Sequence, residues 1–283
     1  MLRSLFAGIS GLRANQTMLD VTGNNIANAN TTGFKSSSTV FSDTLSQMLT
    51  AASGGNASRG GTNPIQVGLG VQLASTSLNF NQGSAETTGR PTDLMLQGDG
   101  MFVLRDGQEN VYTRNGAFSF DQTGDLVAPD GTRVQGYALD ANGQPTGGLT
   151  DLNLHMIDSS LPAGVELKSY DISSDGMIRG VFSDGVQRNI GQVAVADFNN
   201  PQGLEKVGDT EFRESANSGA AQLGVAGQGQ RGQIMAGALE MSNVDLSQEF
   251  TNLILAQRGF QASARVITTS DSVLEELVNL KRQ

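Results

Sequence analysis

Few residues of this chain combine the types and the spacing that catalysis or ligand binding requires. Gly227–Gly232 reads Gly-Gln-Gly-Gln-Arg-Gly and matches a dinucleotide-binding fingerprint letter for letter. Such a fingerprint holds a pyrophosphate where a strand leads into a helix of a βαβ unit. The residues around it carry strand and turn patterns without that unit, so we interpret it as a flexible glycine loop.

Carboxylates and the single histidine make no stronger case for chemistry. Asp121, Asp125, Asp171 and Asp175 have fragments of calcium-loop spacing but lack the closing glutamate, and we interpret them as turn residues. His155 is the only histidine and no nucleophile elbow accompanies it, so we expect an exposed strand residue. A carboxylate pair for glycoside hydrolysis stays open, because nothing in the sequence singles one out. The sequence therefore predicts no enzyme, and it predicts neither a cofactor nor a metal site.

Charge and composition exclude further classes of function. The formal net charge is −10, which disfavours nucleic acid and anionic membrane surfaces as partners. There is no cysteine, hence no disulfide and no thiolate metal site. No apolar run reaches the ~18 residues of a membrane span, so we expect no membrane insertion. Ser10, Gly11 and Arg13 interrupt the apolar residues at the N-terminus, so we expect no cleaved secretion signal.

The C-terminal region from Glu240 carries the strongest periodic pattern. Apolar residues recur with an average spacing of 3.5, which predicts a long helix with one face against a partner. Asp245 is the predicted N-cap of this helix, with Gln248 completing a capping box. The seam residues that the pattern selects are Leu246, Phe250, Leu253, Phe260, Ile267, Leu274 and Val278.

The first thirty residues carry a matching pattern. Their seam residues are Leu5, Ile9, Leu12, Leu19 and Ile26. The simplest arrangement pairs both ends in one antiparallel coiled coil. Three glycines weaken the N-terminal helix, so we expect it to need a packing partner. Whether the pair only closes a monomeric domain, or also binds neighbours, stays open at this point.

The middle of the chain differs from both ends. Asp-Gly and Asn-Gly dipeptides recur at the spacing of a strand and a turn, which predicts antiparallel hairpins. The fold class is therefore α+β, with a sandwich-like or barrel-like β body and paired terminal helices. We expect residues 1–35 and 240–283 to form the helical domain. Residues 36–75 and 214–239 would be connecting segments, and 76–213 the antiparallel β domain.

Several motifs in this order resemble those of the bacterial flagellar rod and hook family. Ser10–Ala14, Asn24–Asn28 and Thr32–Lys35 resemble its N-terminal signature, Tyr112–Phe118 its central part, and Gln257–Ala262 its C-terminal part. The positions that carry the terminal motifs are Asn24, Asn25, Ala27, Asn28, Gly33, Phe34, Gln257 and Arg258.

The resemblance implies a structural subunit that polymerises into a helical tube with its terminal helices inside. It implies export without signal cleavage by the flagellar type III apparatus, and a place in the extracellular hook–basal body. Implied partners are further copies of the chain and the rod, hook-cap and hook–filament junction proteins.

Within the family, Gln261–Ile267 resembles hook subunits more than distal rod subunits. The expected role is accordingly that of the hook, a flexible universal joint that transmits torque from rod to filament. The length of 283 residues lies nearer the distal rod, a rigid drive shaft, which stays the alternative. A secreted wall-degrading enzyme and a monomeric β-domain adhesin are two further hypotheses, and neither explains the two heptad patterns.

Overall fold

The computed structural model of the chain describes residues 2–55, 60–139, 145–156 and 165–280. Within these ranges the backbone forms two long helices and a mainly antiparallel β body, which confirms the predicted α+β class. Neither helix in the described ranges has an apolar stretch of the length that a bilayer crossing requires.

The chain divides into two compact units. Unit 1 comprises Met1–Ala27, Ser37–Leu78 and Asp245–Gln283, and unit 2 comprises Asn28–Ser36 and Asn79–Val244. Unit 1 therefore combines both chain ends with one internal segment. The domain division that we drew from the sequence has other boundaries, and as a functional division it stays a prediction.

The helices of unit 1 follow the predicted pattern. Helix α1 spans Leu2–Ala27, and helix α2 spans Leu246–Leu280. Asp245 caps α2 as expected, because its Oδ1 accepts hydrogen bonds from the backbone N–H groups of Ser247 at 2.8 Å and Gln248 at 3.2 Å. At ~1.5 Å per residue, α2 is about 52 Å long.

The two helices run antiparallel and pack along their length. The Oγ atoms of Ser4 and Ser270 lie 3.5 Å apart near one end. Near the other end, Asn25 Nδ2 donates to Glu249 Oε1 at 3.2 Å. The antiparallel coiled coil predicted from the two seams is therefore confirmed as a pairing of the two helices.

Small residues let the helix axes approach closely. A Cβ added at Gly11 would lie 2.9 Å from Ser263 Oγ, and one added at Gly8 would lie 3.2 Å from Ile267. A Cβ at Gly259 would collide with the side chain of Asn15. The intrinsic cost of these glycines, about 1 kcal/mol each in a helix interior, is offset by the close contact.

Unit 1 also contains four strands. Strand β1 (Ser37–Asp43) pairs with β4 (Val71–Leu78), and β2 (Ser46–Thr50) pairs with β3 (Ile65–Gly68), both antiparallel. The composition of Ala51–Asn63, rich in glycine and small polar residues, predicts a flexible loop, but it includes residues 56–59, which lie outside the described residues.

The described residues of unit 2 are built on a sheet of twelve strands. Eight of them form its path in the order β13-β14-β15-β11-β7-β8-β17-β16, and the other four pair at its sides. The strands are β7 Met101–Asp106, β8 Glu109–Thr113, β9 Ser119–Phe120, β10 Leu126–Val127, β11 Arg133–Leu139, β12 Pro145–Asp151, β13 Leu167–Ile172, β14 Met177–Phe182, β15 Gln187–Asp197, β16 Glu205–Gly208, β17 Glu211–Arg213 and β18 Gln222–Val225.

Two short strand pairs complete unit 2. Strand β5 (Ala85–Thr87) pairs with β20 (Ala238–Glu240), and β6 (Leu94–Gln97) pairs with β19 (Gln233–Ala236). The segment 214–239, which we predicted to be connecting, thus contains two whole strands and the start of a third. The apolar runs Leu94–Leu96 in β6 and Met101–Leu104 in β7 are buried and belong to the core.

Most of the predicted turn dipeptides are turns. The glycines of Asp106–Gly107, Asp130–Gly131, Asp175–Gly176 and Asp184–Gly185 all have positive φ angles between strands. Asn115–Gly116 differs, because a Cβ at Gly116 would collide with the carbonyl of Leu94, so this glycine serves a close backbone crossing. Asn142–Gly143 lies outside the described residues.

Candidate assembly surface

The seam residues predicted for α1 are each half-buried within unit 1: Leu5, Ile9, Leu12, Leu19 and Ile26. Helix α1 contacts α2 and also strands β1 and β4. Their role in assembly stays a prediction.

The predicted seam of α2 separates into two sets. Leu253, Ile267 and Leu274 are half-buried in unit 1. Leu246, Phe250, Phe260 and Val278 are exposed, with Phe250 at 49% and Val278 at 58%. Among the other covered positions of α2, the small residues Ala256, Gly259, Ser263 and Ser270 lie on the opposite side of the Leu253–Ile267–Leu274 line. Heptad spacing alone does not show which side of α2 packs against α1, because both sides border the Leu253–Ile267–Leu274 line.

Exposed apolar side chains accordingly remain on both sides of the α1 contact. We call Leu246, Phe250, Ile254, Phe260 and Val278 the first stripe of α2. The second stripe, on the far side of the contact, consists of Leu255, Val266, Val273, Leu277 and Leu280. Large apolar side chains arranged in such rows mark surfaces that bind another protein.

Strands β1 to β4 and their connections add to the exposed apolar area of unit 1. Their exposed large side chains are Val40, Phe41, Leu45, Met48, Leu49, Ile65, Val67, Leu69 and Leu73. Leu45 is 84% exposed. A two-stranded ribbon with apolar side chains in water gains little stability by itself, and it gains more when a partner covers it.

The residues that we considered for chemistry have structural roles. Gly227–Gly232 connects two strands, and the N–H of Gly227 donates to the carbonyl of Gly232 at 2.9 Å. Asp121 accepts hydrogen bonds from the backbone N–H groups of Thr123 and Asp125, as a turn residue does. His155 is exposed but lies in a turn, not in the predicted strand. Within the described residues, no three acidic or histidine side chains are grouped to hold a metal ion.

Asn25, from the first motif, connects three segments of unit 1. Its Nδ2 donates to the Ser37 carbonyl at 2.7 Å and to Glu249, while its Oδ1 accepts from the Ser37 N–H at 3.0 Å. Asn25 is 1% exposed and thereby joins α1 to β1 and α2. The other terminal-motif residues of the two helices are exposed: Asn24, Ala27, Gln257 and Arg258.

The next motif residues lie in unit 2. Asn28 is half-buried, and Thr31 Oγ1 donates to its side chain at 3.1 Å in a turn. Gly33 follows with φ +69°. A Cβ at Gly33 would lie 2.5 Å from the backbone N of Asn115, so only glycine fits where these two backbones meet. Its N–H donates to the carbonyl of Glu240 at 2.7 Å.

Phe34 and Lys35 are both buried. The Nζ atom of Lys206 lies 4.7 Å from the centre of the Phe34 ring and donates to the carbonyl of Lys35 at 3.1 Å. Lys35 Nζ donates to Glu240 Oε1 at 2.6 Å and to the carbonyl of Asn81 at 2.8 Å. Burial lowers the pKa of Lys35, and the Glu240 carboxylate partly opposes that effect.

Glu240 lies at the centre of what we call the Glu240 cluster, formed with Lys35 and Arg114. Besides Lys35, its Oε1 accepts from the N–H of Gly83 at 2.8 Å, and its Oε2 accepts from Arg114 Nη1 at 3.3 Å. The Lys35 and Glu240 side chains have no exposed surface, and that of Arg114 is 3% exposed. Burial lowers the pKa of Arg114 as well, again against the pull of Glu240.

Arg114 extends the cluster into strand β6 and the turn that follows it. Its Nη1 donates to the carbonyl of Leu96 at 3.3 Å, and its Nη2 donates to the carbonyl of Gly98 at 2.7 Å. Beside the cluster, Asn243 accepts from the N–H of Ser36 and donates to the carbonyl of Asn81. The residues that follow α1 in the chain and those that precede α2 are thereby bound to the β body of unit 2.

Sequence reasoning selected Gly33 and Phe34 but missed the Glu240 cluster. One signal was available, because the chain has only 18 lysines and arginines, and two of them stand inside motifs of small, aromatic and turn residues. Their partner, Glu240, has no motif of its own. Glu240 comes close to Lys35 and Arg114 only in the folded chain.

Three protein-family models match the chain. "Flagella basal body rod protein" matches residues 5–35, "Flagellar hook protein FlgE/F/G D1 domain" matches 95–180, and "Flagellar basal body rod FlgEFG protein C-terminal" matches 235–280. The flagellar basal-body rod protein FlgG of Bacillus subtilis is 43% identical over 283 residues, covering all of both chains. This chain belongs to the family of flagellar rod and hook proteins.

Members of the rod and hook family are structural parts of the flagellum, which agrees with the expected absence of enzyme motifs. The FlgG protein of Caulobacter vibrioides is 36% identical over 286 residues, covering 99% of this chain and 100% of the relative. The flagellar hook protein FlgE of Borreliella burgdorferi is 31% identical over 441 aligned residues, with 99% and 100% coverage. Lys35, Arg114 and Glu240 fall in three different family matches, so the Glu240 cluster joins all three parts.

We expect Gly33→Ala to destabilise unit 2 by more than Gly89→Ala. Both glycines have similar left-handed φ angles, +69° and +73°, but the space beside Gly89 is open. Gly89→Ala should therefore lower the unfolding free energy only by the backbone strain of a left-handed alanine, about 1 kcal/mol. Gly33→Ala adds a clash with the backbone of Asn115 to that strain. Urea unfolding followed by tyrosine fluorescence measures both variants, and equal losses would contradict the close approach at Gly33.

Proposed function

We propose that this chain is a subunit of the flagellar rod, the straight shaft of the basal body, and not of the hook. The observation that carries the proposal is the pattern of alignment lengths. FlgG relatives align with the whole chain over 283 and 286 residues. The hook relative needs 441 aligned residues, so it holds a long stretch without a counterpart in this chain.

The hook role expected from Gln261–Ile267 is not confirmed by the comparisons, which favour the alternative. The motif is short, and hook and rod relatives both match the chain over its full length. The aligned length distinguishes the two roles better. The universal-joint mechanism therefore gives way to a rigid drive shaft as the proposed role.

The exposed surface of unit 1 supports assembly of the chain with copies of itself. Both stripes of α2 stay uncovered after α1 has packed between them. A contact between two different surfaces of one chain, repeated without closing into a ring, produces a helical polymer. Each neighbour that covers a stripe side chain contributes about 1.5–3 kcal/mol per buried Phe or Leu, and the polymer repeats that gain for every subunit.

Immunogold electron microscopy of isolated hook–basal bodies tests the rod role. The antibody would be raised against residues 76–225, in a strain whose own copy of the gene is deleted and then restored. We expect gold particles on the straight shaft below the curved hook. Gold particles along the curved segment would overturn the rod proposal and restore the hook alternative.

The first stripe offers a direct test of assembly. We expect Phe250→Asp to abolish swimming in the complemented strain and to leave basal bodies without a complete shaft, because a carboxylate would be buried in each subunit contact. Electron microscopy of basal bodies and soft-agar motility measure the effect.

Thr251→Asp is the matched control, since Thr251 is an exposed neighbour on the polar side of α2. This variant should build normal shafts. Circular dichroism of both purified variants should show the helix content of the unsubstituted chain. Normal shafts with Phe250→Asp would contradict the role of the first stripe.

A further inference from the structure

The hairpin formed by β16 and β17 lies against the motif segment 33–35 within unit 2. Lys206 in β16 provides the contact, with its amine over the Phe34 ring and its hydrogen bond to the Lys35 carbonyl. Strand β17 pairs with β8, where Glu211 lies opposite Thr113. The hairpin is thus held at one side by the sheet, and at the other it covers the motif.

The turn of this hairpin is strained. Asp209 and Thr210 have φ angles of 45° and 62°, and they alone among the non-glycine residues described have positive φ. A β-branched residue such as Thr210 adopts this region only when its surroundings force it to. The Oγ1 of Thr113 donates to the carbonyl of Thr210 at 3.0 Å and holds the turn in place.

The residue that follows the turn, Glu211, is a buried carboxyl group next to another carboxyl group. Glu211 is 7% exposed, and the Thr132 hydroxyl lies between its carboxyl group and that of Asp130. Thr132 Oγ1 lies 2.9 Å from Asp130 Oδ1 and 3.2 Å from Glu211 Oε1. One hydroxyl has one proton and cannot donate to both oxygens at once. A proton on Glu211 satisfies this arrangement, because the carboxyl O–H can donate to the Thr132 oxygen while the Thr132 hydroxyl donates to Asp130.

The charged groups around Glu211 act in the same direction. Asp130 faces it from the turn between β10 and β11, and Asp106 faces it from the end of β7; both are acidic. Burial, and then Asp130, raise the pKa of Glu211 to about 7. A carboxylate in water has a pKa near 4.3, so the closed hairpin holds a proton that an open hairpin would release.

From this geometry we propose that the β16–β17 hairpin is a pH-sensitive clasp on the segment 33–35, closed while Glu211 keeps a proton beside the Asp130 carboxylate. When that proton leaves to solvent, two carboxylates face each other beside a strained turn, and opening relieves both the repulsion and the strain. The clasp goes beyond the rod role and does not depend on it.

The sign of the pH dependence follows from proton linkage. At pH values between the ordinary pKa of a glutamate and the raised pKa of Glu211, the closed form binds one more proton than the open form. The free energy that this proton contributes to closure is therefore complete below about pH 4.5. It decreases as the pH rises and is lost above the raised pKa. For one proton, the opening equilibrium changes by about tenfold per pH unit in that window.

Hydrogen–deuterium exchange of the full-length chain, corrected for intrinsic exchange rates, measures opening of residues 205–213. We expect protection to fall by up to about tenfold per pH unit from pH 5 to 7 and to level off above pH 7. In Glu211→Gln the protection should not change with pH. Constant protection in the unsubstituted chain, or an unchanged slope in Glu211→Gln, would overturn the proposal.

Three further variants make the test specific. Glu205→Gln removes an exposed carboxylate from the same hairpin and should keep the full slope. Asp130→Asn should move the levelling-off to lower pH, because Glu211 then lacks its acidic neighbour. Lys206→Met should raise exchange at residues 33–35 while the hairpin keeps its slope, since it removes only the contact to the motif. An unchanged profile in Asp130→Asn, or unchanged exchange at 33–35 in Lys206→Met, would contradict the clasp.

Discussion

One buried carboxylate, that of Glu240, accepts hydrogen bonds from Lys35, Gly83 and Arg114 inside unit 2. A lysine or an arginine without a partner in such a place would carry a desolvation cost of several kcal/mol. Lys35 therefore holds the segment that follows α1, and Glu240 holds the segment that precedes α2, while Arg114 ties both to the β body. The interaction requires residues far apart in the chain to be present together, so unit 2 is complete only when the segments around Lys35 and Glu240 have both folded onto its sheet.

Unit 1 shows the opposite situation, with apolar surface left uncovered. Close packing through Gly11, Gly259 and Ser263 joins α1 to α2 but covers only one face of α2. The two stripes of α2 and the apolar side chains of β1 to β4 form exposed apolar surfaces. A subunit of a polymer has such surfaces when neighbouring subunits cover them. Unit 2 thus pairs the buried charges of Lys35, Arg114 and Glu240 internally, whereas unit 1 leaves apolar side chains exposed.

The sequence predicted the parts of this fold that depend on local order. Heptad spacing gave both helices, Asp245 marked the start of α2, and Asp-Gly pairs marked turns between strands. It did not predict which side of the Leu253–Ile267–Leu274 line faces α1, because small residues such as Ala256 and Ser263 carry no hydrophobic signal. It did not predict the Glu240 cluster either, since a buried charge is recognised only by its partners, and these are distant in sequence. The expectation of a hook role depended on a short motif, whereas the aligned lengths of the relatives compare the whole chain.

A double-mutant cycle at Lys35 and Glu240 tests the central constraint most directly. The unfolding free energies of Lys35→Met, Glu240→Gln and the double variant would be measured by urea denaturation. We expect Glu240→Gln to lose about 3–5 kcal/mol, because it leaves buried cations without their anion. The double variant should lose less than the sum of the single losses, by more than about 1 kcal/mol, because it removes one of those cations. Additive losses, within about 0.5 kcal/mol, would contradict the claim that this interaction holds the segments around Lys35 and Glu240 on the β body of unit 2.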